Sequence, residues 1–284
     1  MMFILRRVVP EDREEILSFT ADTWDWGDYI PYIFDEWLDP KNGDFLKAVL
    51  GAKIVGVSHI GYLSSWEAWL EGLRVHHNYR KIGVGTFLLD ASLEILKEKK
   101  IKVARNVIAS TNIASQNLSR KRGFGFVGEF MLFTKETAQI DVEGLRVATL
   151  EDIAILLKIA RDEFEKIPSL KKVGAYWNWE WQELTPTAIE RMINKALVLI
   201  DMNSRGFGVI RKSREDVEIT SLYGDFEVMK KILDSGLNLG YESKIRNCEV
   251  IVPKEWIHKE ELCKRGFKDN PREHTLLVFE KFID

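Results

Sequence analysis

Two short strings occur twice in this chain. Residues 4–24, ILRRVVPEDREEILSFTADTW, align with residues 144–164, GLRVATLEDIAILLKIARDEF. Arg6 then stands over Arg146, Glu11 over Glu151 and Asp12 over Asp152. Further on, Lys121-Arg122-Gly123-Phe124 returns as Lys264-Arg265-Gly266-Phe267 at nearly the same separation. Two anchors at nearly equal spacings imply a domain duplicated in tandem. The length of 284 residues suits two domains. The boundary is expected in the polar stretch TKETAQIDVEG, which divides the chain into domains 1–138 and 139–284.

Each copy reads as α+β. In the first, strands are expected over 3–9, 44–50, 54–63, 66–75, 102–108 and 126–134. Helices are expected over 11–23, 29–38, 85–99 and 112–122, the last capped by Asn112 and ended by Gly123. The second copy repeats the plan, with strands over 145–147, 196–202, 206–211, 217–223, 248–252 and 275–282. Its helices fall over 151–165, 226–237 and near 255–264. The result is two domains in tandem, each a mostly antiparallel mixed sheet flanked by helices.

Bulk properties narrow the partners. Hydrophobic residues make up 45% and charged residues 30% of the chain, enough to bury a core. The net charge of −3 leaves no basic footprint for nucleic acid. No apolar run approaches the roughly 18 residues that would cross a membrane. The start, MMFILRRVVPEDREE, reads as a first strand rather than a signal peptide. Cys248 and Cys263 lack metal-ligand spacing and read as free thiols, which fits a cytoplasmic location and no metal.

The chemistry concentrates where strand 66–75 runs into helix 85–99. The connection contains Arg80-Lys81-Ile82-Gly83-Val84-Gly85. A helix start exposes unpaired N–H groups and positive dipole density. Glycines let an anion approach those groups, and Arg80 and Lys81 add charge. The turn suits a phosphate or pyrophosphate; a plain helix-entry turn is the other reading. It is neither a P-loop nor a dinucleotide-binding fingerprint.

With its strand and helix, Arg-x-x-Gly-x-Gly resembles the GNAT superfamily of N-acetyltransferases. Asn112, Leu118, Lys121, Gly123 and Phe124 fit that family's second signature helix. The resemblance covers residues 3–134. It implies acetyl-CoA as cosubstrate, with the backbone of Leu73, Arg74 and Val75 along the pantetheine arm. The N–H groups of Lys81, Ile82, Gly83, Val84, Gly85 and Thr86, with Arg80, would hold the pyrophosphate, and Asn112 would touch the pantetheine. The family tyrosine that protonates the departing thiolate is replaced by Ser119, and an alanine by Ser115. Ser119, a water or another tyrosine could serve. In the second copy GDFEVMKKIL replaces the turn. That copy reads as degenerate, expected to support, to dimerise or to help enclose the substrate.

Amide formation requires a neutral amine, hence a general base. Glu67 and Glu71 share parity on strand 66–75 and face one side unless a bulge intervenes. Glu71, nearer the thioester end, is the first candidate and Glu67 the second; either could instead be a solvated strand-face charge. The Val75 N–H would donate to the thioester carbonyl. His76 and His77 read as solvated or as a proton shuttle, and His59 as a structural histidine. The acidic, aromatic segment 22–39 holds Trp24, Trp26, Asp28 and Tyr29. It suits a cationic acceptor, or is an amphipathic helix with an acidic outer face. Its pattern is similar to a branch that includes histidine N-acetyltransferases, which favours a small amine or amino acid. The Trp-rich cluster 177–181 reads as core or interface. The expected function is an N-acetyltransferase working by direct transfer; a non-catalytic acyl-CoA sensor is the alternative.

Overall fold

A computed structural model of the chain describes residues 2–284 except 22, 25, 26, 178 and 270–274, and omits the side chain of Trp177. In chain order the elements begin with β1 (Ile4–Arg7), α1 (Arg13–Thr20), α2 (Ile30–Leu38), β2 (Asp44–Leu50), β3 (Lys53–Tyr62) and β4 (Glu67–Val75). Then come α3 (Val84–Glu98), β5 (Val103–Ala109), α4 (Ile113–Lys121) and β6 (Gly125–Glu136). After them lie β7 (Leu145–Val147), α5 (Ile153–Phe164), α6 (Leu170–Val173), β8 (Ala175–Trp177), β9 (Glu180–Gln182) and α7 (Pro186–Lys195). The chain continues with β10 (Leu197–Asp201), β11 (Gly206–Lys212), β12 (Asp216–Gly224), α8 (Phe226–Ser243) and β13 (Asn247–Pro253). It closes with α9 (Lys259–Lys264), β14 (Lys268–Asp269) and β15 (Leu276–Phe282). No helix among the described residues is long and apolar enough to cross a membrane.

Two compact units result. One comprises Met1–Asn106, Ala114–Gly125 and Phe279–Asp284; the other comprises Val107–Ile113 and Phe126–Val278. A cut between 138 and 139 would leave each copy its own last strand, and the units do not follow it. Nearly all of β6 belongs to the second unit, where it pairs antiparallel with β13, Phe133 opposite Val250. The chain end belongs to the first unit, where the Ile283 N–H donates to the Lys102 carbonyl at 2.9 Å. Local hydrophobic pattern specifies that a strand forms, not which strand it joins.

In the first unit the strand order is β1-β2-β3-β4-β5. Pairs are antiparallel except β4 with β5, whose parallel register runs only from Glu67–Val103 to Trp69–Arg105. Beyond that point the two strands part. One sheet face carries Ile16, Phe34 and Trp37 of α1 and α2 against Phe45 and Val57. The other carries Val84 and Leu88 of α3 against Ala48 and Val55. Each such buried aliphatic or aromatic side chain contributes about 1.5–3 kcal/mol of transfer free energy. The second unit repeats the plan: β12 and β13 pair in parallel from Asp216–Asn247 to Ile219–Val250 only.

The repeated strings have repeated jobs. Asp12 accepts from the Val9 N–H, and Asp152 from the Thr149 N–H, both at 2.8 Å. Gly123 and Gly266 end their helices at φ 81° and 83°, the left-handed position that favours glycine. Phe124 and Phe267 then enter the core. Arg122 reaches back to Asp90 on α3 at 2.5 Å, and Arg265 to Asp234 on α8. The expected helix 11–23 is shortened to Arg13–Thr20, because Pro10–Asp12 forms a 3₁₀ turn. α8 runs six residues beyond its expected end, to Ser243.

Candidate active site

Lys81 and Gly83 both have left-handed backbone, φ 64° and 98°. This curls the chain so that α3 starts without any side-chain cap. A Cβ on Gly83 would meet nothing within 4 Å, so the space before the helix is open. Arg80, Lys81, Ile82 and Gly83 are exposed, whereas Val84 is buried. Gly85 faces Val75 and Leu118 at 3.6 Å and Leu73 at 3.9 Å. The helix start therefore abuts the end of β4, where β4 has left β5.

β4 carries a bulge. Between the pairs His59–Glu71 and Val57–Arg74 it has one residue more than β3. Gly72 takes φ 63° there, and a Cβ on it would lie 2.4 Å from the Trp37 ring. Up to the bulge the register is regular, so Glu67 and Glu71 do share a face. Glu71 is 21% exposed in its side chain. Its Oε1 lies 2.9 Å from His59 Nδ1 on the neighbouring strand. The His59 ring is buried and stacks on Trp37 at 4.4 Å and 6°.

A cationic, uncapped helix start and a part-exposed carboxylate thus belong to one strand–turn–helix. Residues 11–124 match the acetyltransferase (GNAT) family. This segment is a GNAT acetyltransferase domain. Over 98 residues the chain is 32% identical to histidine N-acetyltransferase of Scomber australasicus, which is 34% of this chain and 29% of that enzyme. The chain therefore spans less than a third of the curated relatives it matches. A GCN5-related N-acetyltransferase from Sphaerobacter thermophilus superimposes with a TM-score of 0.65 at 16% identity, over 99% of this chain and 96% of that one. A tandem GNAT protein from the clavulanic acid biosynthesis pathway does so with a TM-score of 0.63 at 10% identity, over 100% and 99%. The fold is the tandem GNAT arrangement.

Within the GNAT domain, several expected site residues sit elsewhere than a free active-site wall. Glu67 is 2% exposed and ion-paired to buried Arg105, whose guanidinium also meets Glu280 at 2.6 Å. Its carboxylate is committed to the core, which corrects its candidacy as a base. Asp28 is likewise buried and holds Arg74, through Nε at 2.6 Å and Nη2 at 3.2 Å. The acidic cup expected to attract a cation is already filled by a cation of this chain. Arg74 lies over the rings of Tyr29 at 5.1 Å and Trp24 at 5.8 Å. Tyr29 bonds to the Gly72 backbone, and burial pushes its hydroxyl up to about 12, helped by the charges of Glu71 and Asp28 and opposed by Arg74. Trp26 lies outside the described residues.

Ser119 is buried on α4, and its hydroxyl accepts from Asn106 Nδ2 at 3.2 Å. Asn112 falls in the segment grouped with the second unit. His76 stacks on His77 at 4.5 Å, and burial, then the charge of His77, lowers its proton affinity. In the second unit Trp181 is core, stacked on Tyr176 at 5.9 Å. His59 is the residue that pattern reading missed. The signal was available only through hairpin register, which sets it opposite Glu71.

Proposed function

We propose that the protein is an acetyl-CoA-dependent N-acetyltransferase that moves the acetyl group directly onto a primary amine of a small molecule or amino acid. One observation carries this reading: an open, uncapped, cation-flanked helix start follows directly on a strand bearing a part-exposed carboxylate. The donor set fits a pyrophosphate, with N–H groups of residues 81–86 and the side chain of Arg80 supplying the positive end. The backbone of Leu73 to Val75 would accompany the pantetheine, and the Val75 N–H would polarise the thioester carbonyl.

Glu71 takes the proton from the acceptor ammonium, directly or through one water. The neutral nitrogen forms its bond to the carbonyl carbon, the carbon–sulfur bond breaks, and the second proton shed by the nitrogen passes to the departing thiolate or to solvent. A thiol with a pKa near 8.5 leaves as thiolate without a strong acid. Ser119, tied to Asn106, is therefore not required to be one. Asp28 is neutralised by Arg74, which also covers the rings of Trp24 and Tyr29, so a cationic acceptor would be drawn by Glu71.

The test is release of free thiol from acetyl-CoA across L-histidine, other amino acids, polyamines and peptides. Turnover with any amine, abolished in Glu71→Gln while acetyl-CoA still raises Tm, is the expected result. Silence across the panel, with acetyl-CoA still raising Tm, would overturn catalysis in favour of an acyl-CoA sensor.

A further inference from the structure

We infer that His59 is a positioning residue for Glu71, holding Oε1 through an Nδ1–H hydrogen bond so that Oε2 is presented to the acceptor. The inference rests on Glu71 being the general base. Four observations converge on it. The two side chains lie in register on adjacent strands, 2.9 Å apart. The imidazole is clamped against Trp37, which is itself 5% exposed, so it cannot turn away. Trp37 can lie there only because residue 72 has no Cβ. On the far side Gly43 closes the clamp: a Cβ there would fall 2.7 Å from His59 Nε2.

A further observation assigns the tautomer. Nε2 is buried and has no hydrogen-bond partner among the described residues. A hydrogen on Nε2 would be a buried donor with nothing to bond, at a cost of about 1–3 kcal/mol. The hydrogen belongs on Nδ1, where Glu71 accepts it. That bond consumes one oxygen of a carboxylate whose side chain is part-exposed, and leaves the other oxygen for chemistry.

The surroundings contain few competing charges. Trp37 from α2 and Phe45 from β2 pack on the ring and are uncharged. Tyr29 lies near Glu71, and beyond it Arg74 is paired with Asp28. On the same strand Glu67 is paired with Arg105.

Two measurements on the full chain test this. In ¹⁵N-labelled protein, the imidazole signal lost in His59→Asn identifies His59 among the five histidines. It should report the Nδ1–H tautomer and move in Glu71→Gln; an Nε2–H tautomer would overturn the inference whether or not any amine is turned over. The second is kinetic, with the best acceptor of the amine panel above. An asparagine amide can reach the place of Nδ1, whereas a glutamine amide reaches that of Nε2. We expect His59→Asn to keep kcat within about threefold and His59→Gln to lose on the order of tenfold or more, with KM for acetyl-CoA unchanged in both. Equal kcat in both variants, with Glu71→Gln inactive, would overturn the role of His59 alone. An active Glu71→Gln would overturn the general-base reading beneath it.

Discussion

α3 and α8 begin in the same place in their two units, and their beginnings are opposites. Each follows a strand whose parallel pairing stops early, at Trp69–Arg105 and at Ile219–Val250. Each of those strands carries a left-handed residue, Gly72 at φ 63° and Ser221 at φ 51°. There the likeness ends. α3 opens on Gly83 with empty space beside it and two exposed cations before it. α8 opens on Asp225 with Glu227 in its first turn, straight after Gly224, where a Cβ would lie 2.2 Å from the Arg205 carbonyl. Carboxylates serve a helix dipole as well as a bound anion does. The comparison teaches that the fold is held by distributed apolar burial, and so survives duplication, whereas the proposed anion site depends on a handful of turn residues.

The largest effect expected from that contrast is at Gly83. Gly83→Glu puts a carboxylate where phosphate would bind and imposes a side chain on φ 98°. Acetyl-CoA affinity should fall on the order of a thousandfold, about 4 kcal/mol, measured by titration calorimetry. Gly83→Asn, which tolerates left-handed backbone, should lose far less. Equal losses in both would mean that strain, not charge, closes the site.

Exchanging the bulge residues should cost less. Gly72→Ser copies the second unit into the first, yet its Cβ meets Trp37 at 2.4 Å. Ser221 is accommodated because its hydroxyl bonds the carbonyls of Tyr176 at 3.1 Å and Gly174 at 3.3 Å. Gly72→Ser should destabilise by about 2–3 kcal/mol in chemical denaturation, through displaced packing. An unchanged denaturation midpoint would show that Trp37 has room to move, and would weaken the clamp on His59.

Much of this was readable beforehand, and the reasons differ by element. Strands β2 and β4 and helix α3 announce themselves through local periodicity; α3 was expected at 85–99 and runs Val84–Glu98. The glycine turn is legible because backbone chemistry demands glycine at φ 98°. Thr185-Pro186 is an equally good helix start, with the Thr185 side chain accepting from the Ala188 N–H at 3.1 Å and Pro186 at the first helical position. What local pattern cannot carry is partnership. That Arg74 fills the Asp28 cup, that Arg105 takes Glu67 and that His59 takes Glu71 all depend on register between strands or packing between elements.

The repeated caps offer a smaller test. The Arg146 guanidinium, first, and the Thr149 backbone hold Asp152 well below the usual carboxylate range, against the opposing effect of burial. A depressed folded value contributes stability that is present above the unfolded pKa, near 3.9, and is lost as pH falls below it. Asp152→Asn should cost about 1–2 kcal/mol at pH 7 and flatten the acid side of the stability profile. A profile as steep as that of the wild type would place the acid sensitivity in another carboxylate.

The smallest expected effect is at α8. Asp225→Asn with Glu227→Gln strips the acidic start from the second unit. Asp225 is 59% exposed in its side chain and lies 3.9 Å from Arg205; Glu227 is 72% exposed. Stability should shift by less than about 1 kcal/mol. Acetyl-CoA should still bind with a stoichiometry of one per chain, because removing repulsion does not create the open, left-handed, cation-flanked turn that α3 has. Gly224 cannot supply it, since its neighbourhood is filled by the Arg205 backbone. A calorimetric stoichiometry of two would break the comparison: the second unit would then hold a latent site held off by charge alone.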